Sequence, residues 1–202
     1  MPETNDQDLV QRAQNGEIQA FNLLVRRWQK PVLNFLYRFL GNLSDAEEVC
    51  QRTFIRVYEK LPGLGNGKKF SVWLYRVAAN QARDLLRQKK RQRLVSFFEF
   101  WQKGSEEEPL EPADPQGLSA EDRLHQEDLR SILLNALQQI PEEQRIIVIM
   151  RIFHELKFHE IAEILGEPLN TVKSRMYYGL KSLRNVLEKQ HFDREVFWNE
   201  LQ

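Results

Sequence analysis

The stretch that decides the fold is FHEIAEILGEPLNTVKSRMYYGLKSL, Phe158 to Leu183. Phe158, Ile161, Ala162 and Leu165 recur at helical spacing and form one short apolar face. Gly166-Glu167-Pro168-Leu169-Asn170 interrupts the pattern, and Thr171 is placed to cap a second helix. In that helix Val172, Met176, Leu180, Leu183 and Leu187 fall inward. Thr171, Ser174, Arg175, Tyr178, Lys181 and Asn185 fall outward. Between Thr171 and Lys189 five cations (Lys173, Arg175, Lys181, Arg184, Lys189) face one acid, Glu188. Two short helices, a tight turn and a basic outer face make a helix-turn-helix whose second helix fits the major groove. An ordinary helical hairpin shares the periodicity, so the outer face is what points to DNA.

Upstream the composition changes. Between Ser96 and Asp128 ten acidic residues stand against Lys103 and Arg123, a net charge of −8. With Pro109, Pro112 and Pro115 the segment 95–125 reads as a tether that cannot bury a core of its own. The whole chain hides this asymmetry, because its 202 residues carry 29 basic and 29 acidic side chains.

Before the tether the pattern is helical again. Asp6 can cap a first helix that Gly16 closes; a second runs from Glu17 to Leu40, with Pro31 kinking it or starting another. Ser44-Asp45-Ala46-Glu47 reads as a capping box opening a helix to Lys60. Pro62 to Gly67 is a loop, and a further helix spans Phe70 to Gln92. The expected class is therefore all-α: two small helical domains, 1–94 and 126–190, joined by the acidic linker 95–125 and followed by a tail, 191–202.

Two of these helices carry further signals. On Phe70–Gln92, Leu74, Val77, Ala78, Gln81 and Leu85 face inward. Trp73, Arg76, Asn80, Arg83, Arg87 and Lys90 align on another side, and from Arg83 to Arg93, just past its end, six cations face one acid, Asp84. Such a row can neutralise phosphates while Trp73 stacks on an unpaired base; a solvated charged face is the plainer alternative. On Ser44–Lys60 the core face is Ala46, Val49, Cys50, Thr53, Val57 and Leu61. Ile55 lies opposite, among Glu48, Gln51, Arg52 and Glu59. It is either a stray exposed apolar residue or the centre of a protein-binding face.

Other chemistries find little support. Cys50 is the sole cysteine, so there is neither a disulfide framework nor a thiolate metal cluster, and a reducing cytoplasm fits. His125, His154, His159 and His191 lack paired ligand spacing, and Gly63-Leu64-Gly65 lacks the flanking strand of a phosphate loop. No metal, cofactor or catalytic constellation is expected. No leader or membrane span is legible either.

The runs Asp45-Ala46-Glu47-Glu48-Val49-Cys50-Gln51-Arg52-Thr53-Phe54-Ile55-Arg56 and Phe70 to Asp84 resemble region 2 of the sigma-70 family of bacterial RNA polymerase sigma factors. Leu137 to Leu183 resembles region 4, most specifically in Glu160-Ile161-Ala162 followed by Thr171-Val172-Lys173-Ser174-Arg175. Order and spacing are similar to the extracytoplasmic-function group. The resemblance implies partners: core RNA polymerase, promoter DNA and an anti-sigma factor that could hold a cytoplasmic chain at the membrane. It implies that Asp45, Glu48, Gln51, Arg52 and Ile55 dock on core polymerase. Asn66, Lys68, Lys69, Phe70, Trp73, Arg76, Asn80, Arg83 and Arg87 would take the melted −10 strand. Thr171, Lys173, Ser174, Arg175, Tyr178 and Lys181 would take the −35 duplex.

The chain departs from the family pattern in places. Arg52 stands where the family usually has an acid, and Asn170 where it usually has glycine. The linker start (Phe97, Phe98, Phe100, Trp101) and the tail (Phe192, Val196, Phe197, Trp198) are unusually aromatic, and one of them is expected to pack on a domain face or an inhibitor. On the residues alone a stand-alone helix-turn-helix regulator stays open; it leaves the cation row and the tether unexplained.

Overall fold

The computed structural model describes residues 5–65, 69–103 and 121–189, with side chains placed for all of these except 93–103 and 121–129. Among the described residues every regular element is helical. These are α1 (Asp6–Gln14), α2 (Ile18–Leu40), α3 (Leu43–Lys60), a single 3-10 turn (Leu61–Gly63), α4 (Phe70–Lys103), α5 (Glu121–Gln139), α6 (Glu142–Ile152), α7 (Phe158–Leu165) and α8 (Leu169–Lys189). The expected tail 191–202, the linker centre 104–120, and Asn66 and Lys68 lie outside the described residues.

Helix starts sit earlier than the capping signals suggested, because asparagine side chains compete for the same job. Asn5, not Asp6, caps α1, accepting from the Gln7 amide. Asp6 instead holds α2, taking the Arg27 guanidinium and the Trp28 indole N–H (3.0 Å). Asn42, not Ser44, caps α3, its Oδ1 accepting from Asp45 N at 2.9 Å. α8 begins at Leu169, so Thr171 lies in its first turn rather than at its cap. α2 runs through Pro31 unbroken. The missing hydrogen bond is outweighed by burial of Leu24, Val32, Phe35, Leu36 and Phe39 along its length.

α3 buries the face its periodicity predicts: Ala46, Val49, Cys50, Thr53, Val57 and Leu61 are all buried, with Phe54 beside them. The Thr53 hydroxyl satisfies itself on Val49 O at 2.7 Å. α4 behaves differently. It packs against α2 and α3 and also against α7. Its buried set is therefore wider than a one-sided stripe: Tyr75, Ala79 and Ala82 join Leu74 and Ala78, while Val77 and Leu85 are half-buried. α4 also continues to Lys103, well past Gln92 where its sequence pattern ended.

The C-terminal helices pack around α6, whose Ile146 to Met150 are all buried. α8 crosses α6 closely enough that a Cβ on Gly179 would sit 2.8 Å from Val148 Cγ2. Gly179 is therefore buried at the crossing, and Leu180, expected inward, is half-buried beside it.

The two helical groups meet. α2 contacts α5 and α6, and α4 contacts α7. The Gln138 amide donates to Arg38 O (2.8 Å), and its Oε1 accepts from Arg145 (2.6 Å). Arg145 and Arg38 lie over the Phe39 and Phe153 rings at 5.4 and 4.5 Å.

Candidate functional site

Three surfaces carry the residues singled out in the sequence. The first is a groove of about 840 Å³ between α2 and α3. Gln51 and Ile55 line it with Phe54, Tyr58 and Glu59 of α3 and Phe21, Val25, Gln29 and Leu33 of α2. Ile55 and Tyr58 are 53% and 55% exposed, which is unusual for such side chains unless something else covers them. Phe21 meets Tyr58 edge-on, ring centroids 5.0 Å apart. Cys50 lines the groove with its thiol pKa pushed up to about 11 by burial, so it is a packing residue and not a nucleophile.

Of the other expected docking residues, Glu48 and Arg52 pair with each other across one helical turn at 3.4 Å, so the unusual arginine neutralises its neighbour. Asp45 is taken by Lys89 of α4. Phe21, Val25 and Leu33 were missed, since a second apolar stripe on α2 looks from sequence like a broader core face.

The second surface is the cation row of α4. Trp73 is half-buried and packs against Phe70 at 6.1 Å. Phe70 itself is only 5% exposed and wedges between Trp73 and Trp28. In this arrangement it is buried and supports the Trp73 ring. Asn80 is exposed, and Arg87 pairs with its neighbour Asp84 at 3.2 Å. The remaining three cations turn towards α7. Lys69 Nζ bonds Glu160 Oε1 at 2.7 Å. Arg76 donates to Glu163 O and lies 3.5 Å from its carboxylate. Arg83 lies 3.8 Å from Glu167.

The third surface is the helix-turn-helix. α7 ends at Gly166, whose φ of 67° is the left-handed conformation glycine accepts without strain. Asn170, the expected substitute for such a glycine, is instead helical. On α8, Lys173, Ser174, Tyr177, Tyr178 and Lys181 are exposed, and the Ser174 hydroxyl donates to Thr171 O. Arg175 is held between Glu167 and Glu143, the latter at 2.9 Å. Arg151, Lys157, His159 and Lys173 rim a shallow basin of about 330 Å³ beside α8. Arg151 and Lys157 were not singled out in the sequence, because their cations come from the segment before the turn.

A buried titratable pair lies where the two helical groups meet. His154 Nδ1 is 2.8 Å from Tyr75 Oη, and its ring meets Phe35 edge-on. Burial, then the nearby Arg38 charge, lowers the His154 pKa to about 4. The imidazole is thus neutral there at physiological pH. No group of three or more metal-capable side chains occurs among the described residues, and no described helix is long and apolar enough to cross a membrane.

Comparison with known proteins gives two matched regions: residues 24–92 to Sigma-70 region 2, and residues 130–183 to Sigma-70 region 4. The chain is 30% identical over 178 residues to the ECF RNA polymerase sigma factor SigW of Bacillus subtilis, covering 88% of this chain and 94% of the relative. It is 31% identical over 186 residues to the ECF RNA polymerase sigma-E factor of Escherichia coli K12, covering 91% and 94%. Among solved structures it resembles CnrH in complex with the cytosolic domain of CnrY, with a TM-score of 0.65, 21% identity and coverage of 91% and 97%.

Proposed function

Since this chain belongs to the sigma-70 family, in its extracytoplasmic-function group, we propose that its three surfaces divide the work of promoter recognition between them. The protein is a sigma factor: it binds core RNA polymerase and directs promoter-specific initiation. In this reading the α2–α3 groove receives the clamp coiled coil of the polymerase's largest subunit, a helix laid in an apolar groove. Ile55, Phe21 and Tyr58 form its centre, and Glu48, Gln51 and Arg52 its rim.

The α4 cations take the −10 strand once it is single-stranded. Trp73, propped by Phe70, offers a ring for stacking, and Lys69, Arg76, Asn80, Arg83 and Arg87 hold the backbone. Capturing a base outside the duplex offsets part of its unpairing cost of a few kcal/mol, so melting needs no hydrolysis. α8 enters the major groove of the −35 element, with Ser174, Arg175 and Tyr178 towards base edges. Thr171, Lys173 and Lys181 lie towards phosphates, extended by Arg151 and Lys157. A chain of this kind works in the cytoplasm, and an anti-sigma factor would hold it inactive by covering the same apolar groove.

The observation that carries the reading is the coexistence of the α2–α3 groove, the α4 cation row and a basic helix-turn-helix in one chain. A conventional repressor needs only the last. Run-off transcription with purified bacterial core polymerase, over fragments of the source genome, tests it. New discrete transcripts that vanish on Arg175→Ala or Trp73→Ala are expected. No association with core, together with tight duplex binding by the free protein, would identify a stand-alone regulator instead.

A further inference from the structure

The cations that would hold the −10 strand are not free in this structure. Lys69, Arg76 and Arg83 recur every seven residues: Lys69 just precedes α4, and Arg76 and Arg83 lie two turns apart on one side of it. Each is engaged by an acid of the first helix of the helix-turn-helix or its turn: Glu160, Glu163 and Glu167 in the same order. Those acids follow the i, i+3, i+7 spacing of a single helix face. The Lys69–Glu160 contact is built on both sides, since Glu160 Oε2 also accepts from Lys157 N at 2.9 Å, which fixes the carboxylate at the start of α7. At the far end Glu167 is shared between Arg83 and Arg175, one carboxylate occupying a candidate −10 cation and a candidate −35 cation together.

We propose that the acidic face of α7 acts as an internal substitute for the DNA backbone, closing the free protein over its own −10 surface until the two helical groups separate. The inference rests on the reading of α4 as the −10 surface. A cation already paired with a carboxylate is not available to a phosphate in the same place, so strand binding and closure compete for the same three side chains. Competition of this kind is a coupling between two equilibria and is reciprocal: whatever holds the groups apart raises strand affinity, and strand binding favours separation. The clasp is anchored by the neighbouring contacts of Tyr75 with His154, Arg38 with Phe153 and Arg145 with Phe39, which hold α6 and the segment after it against α2 and α4. The ion pairs set which DNA-binding groups are covered, and the closed arrangement needs them together with the packed contacts.

The test uses the full-length chain without polymerase, carrying a fluorescent donor and acceptor on Arg26→Cys and Asn185→Cys, with a single-stranded deoxyoligonucleotide of randomised sequence as the probe. The triple variant Glu160→Gln, Glu163→Gln, Glu167→Gln is expected to lose energy transfer between the dyes and to bind the probe about tenfold more tightly. A charge-matched control (Glu142→Gln, Glu155→Gln, Glu188→Gln) is expected to do neither. The exchange Arg76→Glu with Glu163→Arg should restore energy transfer relative to Arg76→Glu alone while leaving probe binding weak. Unchanged energy transfer and affinity in the first triple, or an equal gain in the control, would overturn the proposal. The −10 assignment fails separately, if Arg76→Ala and Trp73→Ala leave transcription by the polymerase complex intact.

Discussion

Tyr75 Oη, on the helix that carries the cation row, lies 2.8 Å from Nδ1 of His154, in the segment leading into the helix-turn-helix. The pair joins residues 79 positions apart and sits under Phe35, whose ring meets both. A neutral imidazole is what this environment accepts; the charged form would bring a second cation beside Arg38 in a place water does not reach well.

Acid should therefore open the molecule. The folded His154 pKa, lowered by burial and then by Arg38 from 6.5 to about 4, means the open form binds more protons between those values. The closed form keeps its full advantage above about pH 6.5 and loses up to about 3 kcal/mol as pH falls towards 4. Tyr75 on α4 and Arg38 on α2 are the titratable and charged groups facing the ring. Glu160 acts in the same direction: burial raises its pKa, but bonds from Lys69 and the Lys157 amide outweigh this and leave it below 4.5, so its contribution fades as pH falls through that range. Dye-to-dye energy transfer followed from pH 7.5 to 4.5 should fall, and His154→Gln should flatten most of the change.

Ile55→Glu should weaken binding to core polymerase by at least tenfold, or about 1.4 kcal/mol, with a melting temperature close to that of the parent. Ile55 is half exposed, so the folded chain loses little when it is replaced. Tyr58→Ala and Phe21→Ala should act in the same direction. Titration of labelled core polymerase, with thermal melts in parallel, checks this; unchanged affinity in all three would remove the groove from the docking surface.

Gly179→Ala should destabilise the C-terminal helices in spite of the better helix former. Alanine gains about 1 kcal/mol over glycine in a helix. Its Cβ, however, would meet Val148 Cγ2 at 2.8 Å and Gln144 Cβ at 3.3 Å, and overpacking of this kind costs about 1–3 kcal/mol. Val148 is β-branched and fully buried, so it has little room to turn away. A net loss of about 1 kcal/mol in a denaturant titration is expected; a gain in stability would mean the α6–α8 crossing is looser than it stands here.

Arg175→Ala should cost roughly 1–3 kcal/mol of affinity for the −35 duplex, a ten- to hundredfold loss, concentrated at one or two base positions. Stability should barely move, because the pairs with Glu167 and Glu143 are partly solvated. Promoter-binding assays of the polymerase complex with base substitutions across the −35 element provide the measurement. A uniform loss over all sequences would make Arg175 a phosphate contact.

Much of this protein is written in local pattern. The core face of α3, the basic face of α8 and the cation row of α4 follow from residues three and four apart, because helical periodicity is a property of neighbours in the chain. The caps slipped by a residue or two for a local reason as well: Asn5 and Asn42 offer their side-chain oxygens ahead of Asp6 and Ser44. Both helical groups, and the two basic faces they carry, were thus determined by the sequence itself. Only the tertiary structure decided how those faces meet. Lys69 and Glu160 are 91 residues apart, and Arg38 and Gln138 are 100 apart. No periodicity links such positions, since their encounter depends on the packing of α2, α4, α6 and α7 together. The same packing sets Phe70 beneath Trp73, makes Phe21 and Leu33 the wall of a groove, and buries His154 beside Tyr75. These roles come from burial and from charges brought close in space, which are set by the folded surfaces and not by spacing along the chain.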